Sequence, residues 1–500
     1  MPSNAIHRAN LAAAIAIGIT GTGFLLFRAQ ALSFTHDEAL TYLHAIRPGI
    51  GRLFAFGYPN ANNHLLNSAL SWCSYRMFGN AEWALRLPNV LAFGVFVFAA
   101  YRLMSRRLRP SLVVPGLLLI VCNPFQLDFF ALCRGYGLAL AFTLLALEFS
   151  VSSLEDPSRR TLASRKANSV SAGVCAALAT LSNLAWLNFT LALAFVVGTI
   201  QFVRTRRDPT AGSFFRDWVL PQLATAITLI AVLLPVVTKL RAEQALYFGG
   251  DTGFWSDTVG SLIESTLYAQ PYTLSALGPL AVGVAVALVT ATGIVLAGAA
   301  RVVPGSSRET ALALLGILIA CAVSSQLQHQ LMGTKFLVDR TALFLVPVFA
   351  LLMIFSCDAL DGHPSLRRAG NIAAGVFAAL AALHTALALN TSHTLTWAYD
   401  SDTKRMLNDL GAFVAEGPAP PHPLSLGAEW LHQPAVDFYR ERDGLDWLAP
   451  MTRSDFERAH DFYFYLQDST DPEIERIPMQ PLQQYPQSGH VLARDQRGFE

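Results

Sequence analysis

Apolar segments alternate with short polar loops from the N-terminus to about residue 390. Most of these segments are close to the roughly 20 residues that an α-helix needs to cross the hydrocarbon core of a bilayer. The pattern therefore predicts an α-helical polytopic membrane protein with about eleven transmembrane helices. The predicted spans are Leu11–Phe27, Trp83–Met104, Leu112–Asn123, Tyr136–Leu154, Val170–Asn183, Ala185–Val203, Trp218–Thr238, Leu274–Ala300, Ala311–Gln326, Thr341–Phe355 and Asn371–Leu389.

The pattern changes at Asn390, where the composition becomes that of a soluble domain. We therefore expect a transmembrane domain over 1–390, whose first loop over 31–82 carries interfacial helices, and a small α/β domain over 391–500. In the second domain, local patterns predict helices and strands. The predicted helices are Thr403–Ala415 and Gln433–Arg440, and the predicted strands are Pro423–Ala428, Asp461–Leu466 and His490–Ala493.

Lys and Arg residues predict the orientation of the chain, because basic loops face the cytoplasm. With the predicted spans, the basic loops all fall on one side of the membrane. Their residues are Arg102, Arg106, Arg107, Arg109, Arg159, Arg160, Arg165, Lys166, Arg204, Arg206, Arg207, Arg216, Arg301, Arg308, Arg367 and Arg368. The N-terminus is then cytoplasmic, and the 31–82 loop and the C-terminal domain are extracytoplasmic, as in a multi-pass cell (inner) membrane protein. A signal peptide cleaved near Ala31 is the alternative reading of the first span.

Composition narrows the function classes. The chain is 53% hydrophobic and 14% charged with a net charge of +1, so it has no overall electrostatic attraction for nucleic acid. The six cysteines show no Cys-x-x-Cys or metal-type spacing and none lies after residue 390. We interpret them as apolar side chains rather than as a disulfide framework.

The Asp37-Glu38 pair follows the first span directly, in the sequence Ser33-Phe34-Thr35-His36-Asp37-Glu38-Ala39. Carboxylates at a membrane face are costly to bury, which favours a functional role. A helix N-cap or a solvated loop acid is the structural alternative. His36, His44 and His64 also allow a metal site with Asp37, so a divalent metal ion stays open as a cofactor, and the metal ligands are unknown.

Two further outer loops carry charged candidates. Asp128 and Arg134 lie on a short turn, where they either pair with each other or leave the guanidinium to bind a phosphate. Lys335 and Arg340 lie at the outer end of a late span, where they either extend to the membrane interface or bind an anionic lipid headgroup.

Several segments of the chain resemble the GT-C superfamily of membrane glycosyltransferases. They are similar to the protein mannosyltransferases and to the bacterial aminoarabinose and galacturonic acid transferases (glycosyltransferase family 39-like). The segments are Asp37-Glu38, Asn62-Asn63-His64-Leu65-Leu66, Glu82-Trp83-Ala84-Leu85-Arg86-Leu87-Pro88, Arg134-Gly135-Tyr136 and Asp339-Arg340. The resemblance is detailed over residues 31 to about 145 and elsewhere rests on the hydropathy pattern.

The resemblance implies a polyprenyl-phosphate-linked sugar donor and transfer on the outer face of the membrane, with Asp37 as the catalytic acid/base residue. In that reading Asp37 deprotonates an acceptor hydroxyl in a single inverting displacement, and Glu38 supports Asp37 or contacts a metal. Arg134, Lys335 and Arg340 are the predicted donor phosphate-binding residues. Asp128, Asn63 and His64 are predicted for the acceptor side. The acceptor is a glycolipid, a polysaccharide or a protein.

One departure and two other functional classes qualify this interpretation. Where the family usually has Arg-Tyr before the late span, this chain has Asp339-Arg340-Thr341, without the aromatic side chain. A lipid or solute transporter or flippase would share the spans, but the sequence lacks the internal symmetry typical of that class. A non-catalytic assembly scaffold is the third class.

Overall fold

The computed structural model describes residues 2–155, 161–207, 213–298, 302–303, 306–417, 420, 422–453, 456 and 458–496. Arg159, Arg160 and Arg301 of the predicted basic loops lie outside this part of the chain. The chain divides into two compact units. The first unit comprises Met1–Leu25, His64–Asn67 and Asn89–Leu389, and the second comprises Leu26–Asn63, Ser68–Pro88 and Asn390–Glu500.

Within the described residues the α-helices, in chain order, are α1 (Pro2–Ala31), α2 (His36–Thr41), α3 (Ile50–Phe54), α4 (Leu65–Phe78), α5 (Glu82–Ser105), α6 (Pro110–Val121), α7 (Pro124–Phe130), α8 (Tyr136–Ser153), α9 (Leu162–Ser182), α10 (Leu187–Arg207), α11 (Leu220–Ala242), α12 (Gly260–Leu267), α13 (Thr273–Gly298), α14 (Ser307–Met332), α15 (Leu345–Ala359), α16 (Pro364–Ala388), α17 (Thr403–Glu416), α18 (Gln433–Arg442) and α19 (Pro472–Arg476). The strands are β1 (Leu426–Ala428), β2 (Phe462–Leu466), β3 (Met479–Tyr485) and β4 (His490–Asp495).

Each of the eleven predicted spans coincides with a helix, which confirms the predicted fold class. In the described residues, 8 helices are long and apolar enough to cross a membrane, or up to 9 if α6 and α7, which meet at a bend of 72°, form one span. The count is lower than eleven because α15 has only 15 residues, about 22 Å of helix, and because α9 begins with a polar turn that includes Arg165 and Lys166.

Ion pairs connect the predicted basic loops of the first unit. Glu148 accepts from Arg102 and Arg106 at 2.9 and 2.7 Å. The other pairs in this set are Arg107–Glu155, Arg109–Asp358, Arg204–Glu309 and Arg308–Asp361. They join the ends of α5, α8, α10, α14 and α15, so these loops meet at one end of the helices.

The second unit contains a four-stranded sheet in the order β1-β2-β4-β3. β1 pairs with β2 in parallel, and β4 pairs antiparallel with both β2 and β3. Both predicted helices and the three predicted strands of this region are present. β3 is the strand that the sequence did not predict, because it is polar, contains Pro481 and has a register shift between Pro481 and Gln483.

Candidate functional site

Helix α2 carries the Asp37-Glu38 pair, and all six of its residues are buried. The first N–H groups of a helix have no partner inside it. Here the His36 N–H donates to Asp400 Oδ2 at 2.6 Å, and just before the helix the Thr35 N–H donates to Glu38 Oε2 at 3.0 Å. The Phe34 N–H donates to the Tyr439 hydroxyl at 2.7 Å. Residues from the C-terminal part of the chain thus fix the start of α2.

Glu38 forms a buried, bidentate ion pair with Arg86. Arg86 Nε and Nη2 donate to the two carboxylate oxygens at 2.8 and 2.7 Å, and both side chains are 0% exposed. The remaining guanidinium hydrogens go to the backbone oxygens of Ala29, Leu32 and Ser33, at the end of α1. Arg86 therefore joins the end of α1 to α2, and Glu38 holds Asp37 in place through the backbone.

Asp37 is 6% exposed, and its Oδ1 accepts from Asn62 Nδ2 at 2.8 Å. The Thr41 hydroxyl donates to the Asp37 backbone oxygen at 2.8 Å, one turn later in the helix. The hydrogen bond from the Asn62 amide and the fixed start of α2 hold the Asp37 carboxylate in one orientation. Asn62 belongs to the Asn62-Asn63-His64 segment, whose next residue, Asn63, accepts from Ser68 Oγ at 3.0 Å.

Glu82 opens the Glu82-Trp83-Ala84-Leu85-Arg86-Leu87-Pro88 segment and has a bridging role. Its Oε1 lies 2.9 Å from Lys404 Nζ and 2.6 Å from Arg442 Nη1, and the Tyr439 hydroxyl donates to it at 3.2 Å. This segment therefore uses Glu82 to bind the C-terminal part of the second unit and Arg86 to bind α2.

A cavity of about 430 Å³ lies beside α2 in the second unit. Leu40 and His44, three and seven residues after Asp37, line it, and His44 belongs to the π-helical turn Tyr42–Ile46 that follows α2. Its other lining residues are Leu43, Arg47, Gln433, Pro434, Asp437, Arg440, Glu441 and Arg453. Three arginines against two acids give this cavity a basic balance.

Arg134 and Arg340, both in the first unit, act electrostatically on His64. Arg134 is 1% exposed and His64 is 7% exposed. Burial and the positive charges of Arg134 and Arg340 lower the pKa of His64 well below its usual value. His64 Nε2 is buried and has no hydrogen-bond partner among the described residues. Two predicted phosphate residues, Arg134 and Arg340, therefore lie near enough to the predicted acceptor residue His64 to affect its charge.

Gly135 sets the position of Arg134 by close backbone contact. A Cβ at this residue would lie 1.7 Å from the Ser182 backbone oxygen and 3.0 Å from His64 Cβ. Only glycine permits this approach of the turn before α8 to the end of α9.

Replacing Gly135 by Ala should therefore destabilise the first unit by more than the about 1–3 kcal/mol typical of overpacking, because the clash is with backbone. The measurement is the apparent thermal unfolding temperature in detergent. Gly283→Ala is the matched control, since a Cβ there meets nothing within 4 Å. Equal unfolding temperatures for the two variants would contradict the close approach.

Arg340 is positioned by α12. The preceding residue, Asp339, has a left-handed backbone with a φ of +47°, which is unfavourable for a residue other than glycine. Two serines hold it: the Asp339 N–H donates to Ser261 Oγ at 2.9 Å, and Ser265 Oγ donates to Asp339 Oδ1 at 2.8 Å. The Arg340 guanidinium lies 4.6 Å from the centre of the Phe248 ring, so Phe248 supplies a neighbouring aromatic contact.

The two remaining predicted residues of the first unit have other partners. Lys335 forms an exposed ion pair with Asp251, and no contact joins it to His64. Asp128 is 2% exposed, and the Tyr268 hydroxyl lies 2.9 Å from each of its carboxylate oxygens.

A second buried polar cluster, which no motif in the sequence indicated, consists of Asp400, His432 and His490. Burial raises the pKa of Asp400 to about 8, against the effect of the His36 N–H. Burial also lowers the pKa of His432 and of His490 to about 4. In the described part of the chain, Glu429, His432 and His490 are the one group of three such side chains close enough to hold a metal ion. The histidines predicted around Asp37 do not form such a group.

Comparisons with known proteins identify the fold. No protein-family model matches the sequence, and a search of curated proteins gives no match. Two crystal structures of ArnT from Cupriavidus metallidurans are similar. The apo form has a TM-score of 0.54 at 14% identity, over 96% of this chain and 97% of that one. The form bound to undecaprenyl phosphate has a TM-score of 0.52 at 14% identity, with the same coverage.

The likeness extends over nearly the whole of both chains. This chain thus shares the fold of ArnT, in agreement with the polytopic helical fold class that the sequence predicted.

Proposed function

We propose that this chain is a membrane glycosyltransferase that moves a sugar from a polyprenyl-phosphate-linked donor to an acceptor hydroxyl. The observation that carries the proposal is Asp37: a buried carboxylate, oriented by Asn62 and placed on a helix whose start is fixed by Asp400 and Tyr439. This chain shares its fold with ArnT, and one of the ArnT structures contains undecaprenyl phosphate. Both observations support a polyprenyl-phosphate-linked donor.

Asp37 is the general base in this proposal. The acceptor hydroxyl gives its proton to the carboxylate while its oxygen attacks the anomeric carbon of the sugar. The bond from that carbon to the phosphate oxygen breaks, and its electron pair stays on the phosphate. A single displacement of this kind inverts the anomeric configuration. Glu38, bound on both oxygens by Arg86, positions Asp37 and does not touch the reacting atoms.

Arg134 and Arg340 are the proposed phosphate ligands, since guanidinium groups suit phosphate oxygens. Phosphate charge beside His64 would offset the two arginines that lower its pKa. His64 Nε2 would then be able to donate a hydrogen bond to the phosphate. Lys335 stays a proposed ligand at the periphery, because its amino group is exposed and paired with Asp251.

Arg134→Ala and Arg340→Ala should each weaken binding of a polyprenyl-phosphate analogue by roughly ten- to a hundredfold, because a charge-assisted contact contributes about 1.5–3 kcal/mol. Lys335→Ala should have a smaller effect. The measurement is donor-analogue affinity in detergent micelles by titration. Unchanged affinity in both arginine variants would eliminate this phosphate site.

The 430 Å³ cavity beside α2 is the proposed entry for the acceptor, because it is lined by Leu40, which lies one helical turn after Asp37. Arg47 and Arg440 pair with the two acids of the cavity, Glu441 and Asp437, so Arg453 supplies the excess positive charge that favours an acceptor with negative charge. Glycolipids, polysaccharides and proteins all supply such groups.

We also propose that the second unit and the predicted outer loops face the extracytoplasmic side of the cell (inner) membrane, with the N-terminus in the cytoplasm. The ion pairs that gather the basic loops at one end of the first unit support a common side for them. A reporter active only outside the cytoplasm, fused after Ala428, tests this. Activity of a cytoplasmic reporter alone at that position would reverse the orientation.

The decisive test of the function is mass spectrometry of envelope glycolipids, polysaccharides and glycoproteins from cells with the wild-type chain, with Asp37→Asn and without the chain. Wild-type cells should show a product heavier by one sugar that both other strains lack. A flippase would need no base, so an Asp37→Asn strain that keeps the product would favour transport. The anomeric configuration of the product, determined by NMR, tests inversion.

A further inference from the structure

Three side chains of the second unit converge although nothing in the sequence groups them. Glu429 precedes the short 3-10 helix Trp430–His432, and His490 is the first residue of β4. One potential ligand atom from each of Glu429, His432 and His490 lies within 4.8 Å of the other two. His432 and His490 are 0% and 1% exposed, whereas Glu429 is half-buried.

The two imidazoles meet through nitrogens that suit one metal ion. His432 Nε2 and His490 Nε2 are 3.1 Å apart. Two nitrogens bound tetrahedrally to zinc at about 2.0–2.1 Å would be about 3.4 Å apart. The observed separation differs from this by a few tenths of an ångström, which a small rotation of either ring would supply.

One of the two outer nitrogens has the partner that a metal-binding histidine usually has. His490 Nδ1 lies 2.9 Å from the Ser488 backbone oxygen, which can only accept, so Nδ1 carries the hydrogen and Nε2 keeps its lone pair. His432 Nδ1 lies 3.5 Å from Asp400 Oδ1, and neither atom has a hydrogen-bond partner among the described residues. The Ser488 carbonyl behind the His490 imidazole fixes its tautomer and raises its basicity toward a metal.

We propose that Glu429, His432 and His490 bind a zinc ion that joins the Trp430–His432 segment to β4. Two imidazoles and one carboxylate form a nitrogen and oxygen donor set suited to zinc, with water in the fourth position. The ion stabilises the second unit, because it joins His432 and His490, which are 58 residues apart in the chain.

The zinc site has a consequence for α2 that rests on the proposed function. Asp400 lies behind His432 and accepts the His36 N–H through its other oxygen. The ion therefore supports the residue that fixes the start of the helix carrying Asp37. Glu429, His432 and His490 are positioning residues for the transfer reaction and do not touch substrate.

The test uses the full-length chain in detergent, stripped with a chelator and titrated with zinc against a chromophoric competitor. Wild type should bind one zinc per chain, and metal analysis of the unstripped protein should find the same amount. His490→Gln, His432→Gln and Glu429→Gln should each lower zinc affinity at least tenfold. His422→Gln is the matched control, because His422 is exposed in the same unit and lies outside the cluster.

X-ray absorption at the zinc edge of wild type tests the ligands without depending on the folding of any variant. The expected spectrum contains two imidazoles and oxygen donors, and zinc should raise the apparent unfolding temperature of wild type but not of His490→Gln. Asp37→Asn should keep its zinc, which separates this proposal from the proposed function. Absence of stoichiometric zinc binding, or equal affinity in wild type and His490→Gln, would identify His432 and His490 as a hydrogen-bonded pair and overturn the site.

Discussion

Asp37→Asn should fold and insert normally yet lose sugar transfer. The substitution is nearly isosteric, but the amide cannot take the proton of the acceptor hydroxyl. A positioned general base contributes typically about 10²–10⁴-fold to the rate. The turnover of the purified variant should therefore fall by about that factor, measured as product formed per chain with a polyprenyl-phosphate-linked donor. Donor-analogue affinity should stay close to that of wild type.

Two further variants test whether the loss of sugar transfer is specific to Asp37. Asp446→Asn removes an exposed carboxylate of the same unit and should keep wild-type turnover. Glu38→Gln should weaken transfer less than Asp37→Asn, because Glu38 acts through its contact with Arg86. Near wild-type turnover in Asp37→Asn would mean that another group is the base.

Arg86→Met should be the most destabilising single substitution that we describe. It leaves the Glu38 carboxylate buried without its cation and removes the donors that bind Ala29, Leu32 and Ser33. Breaking a buried pair from one side costs about 3–5 kcal/mol. The measurement is the shift in apparent unfolding temperature of the detergent-purified chain. Arg86→Lys should recover little, because an ammonium group cannot reproduce the planar, five-donor fork.

Arg405→Met is the matched control for Arg86→Met. Arg405 is 59% exposed and lies 3.9 Å from Asp409, and an exposed pair of this kind contributes about 0–1 kcal/mol. The double variant Glu38→Gln/Arg86→Met should be less unstable than the sum of the two single variants, since it removes both charges. Additive effects would show that the two side chains do not stabilise each other.

The sequence predicted the helices of the first unit well because each spanning helix forms its backbone hydrogen bonds within itself. Hydropathy over one segment is then enough to find it, even for the short helices α6 and α15. The strand β2 was also predicted, since Phe462–Leu466 is a run of apolar and aromatic residues. β3 was not, because its hydrogen bonds depend on β4 and its own residues are mostly polar.

The candidate site also has features that the sequence indicated and features that it did not. The resemblance selected Asp37, Glu38, Arg134 and Arg340, whose expected roles rest on short segments of sequence. It did not indicate that Glu38 is fully occupied by Arg86, nor that Lys335 pairs with Asp251. Those contacts decide which charges are held inside the fold and which stay at the surface.

Local sequence alone therefore determined the membrane class, the positions of the helices and the acid at the start of α2. The tertiary structure decided which distant residues meet: Asp400 at the start of α2, Gly135 beside His64, and His432 against His490. The physical reason is that hydropathy and helix periodicity are properties of neighbouring residues. A contact across tens or hundreds of residues depends on how the helices and strands pack, and it leaves no periodic signal in the chain.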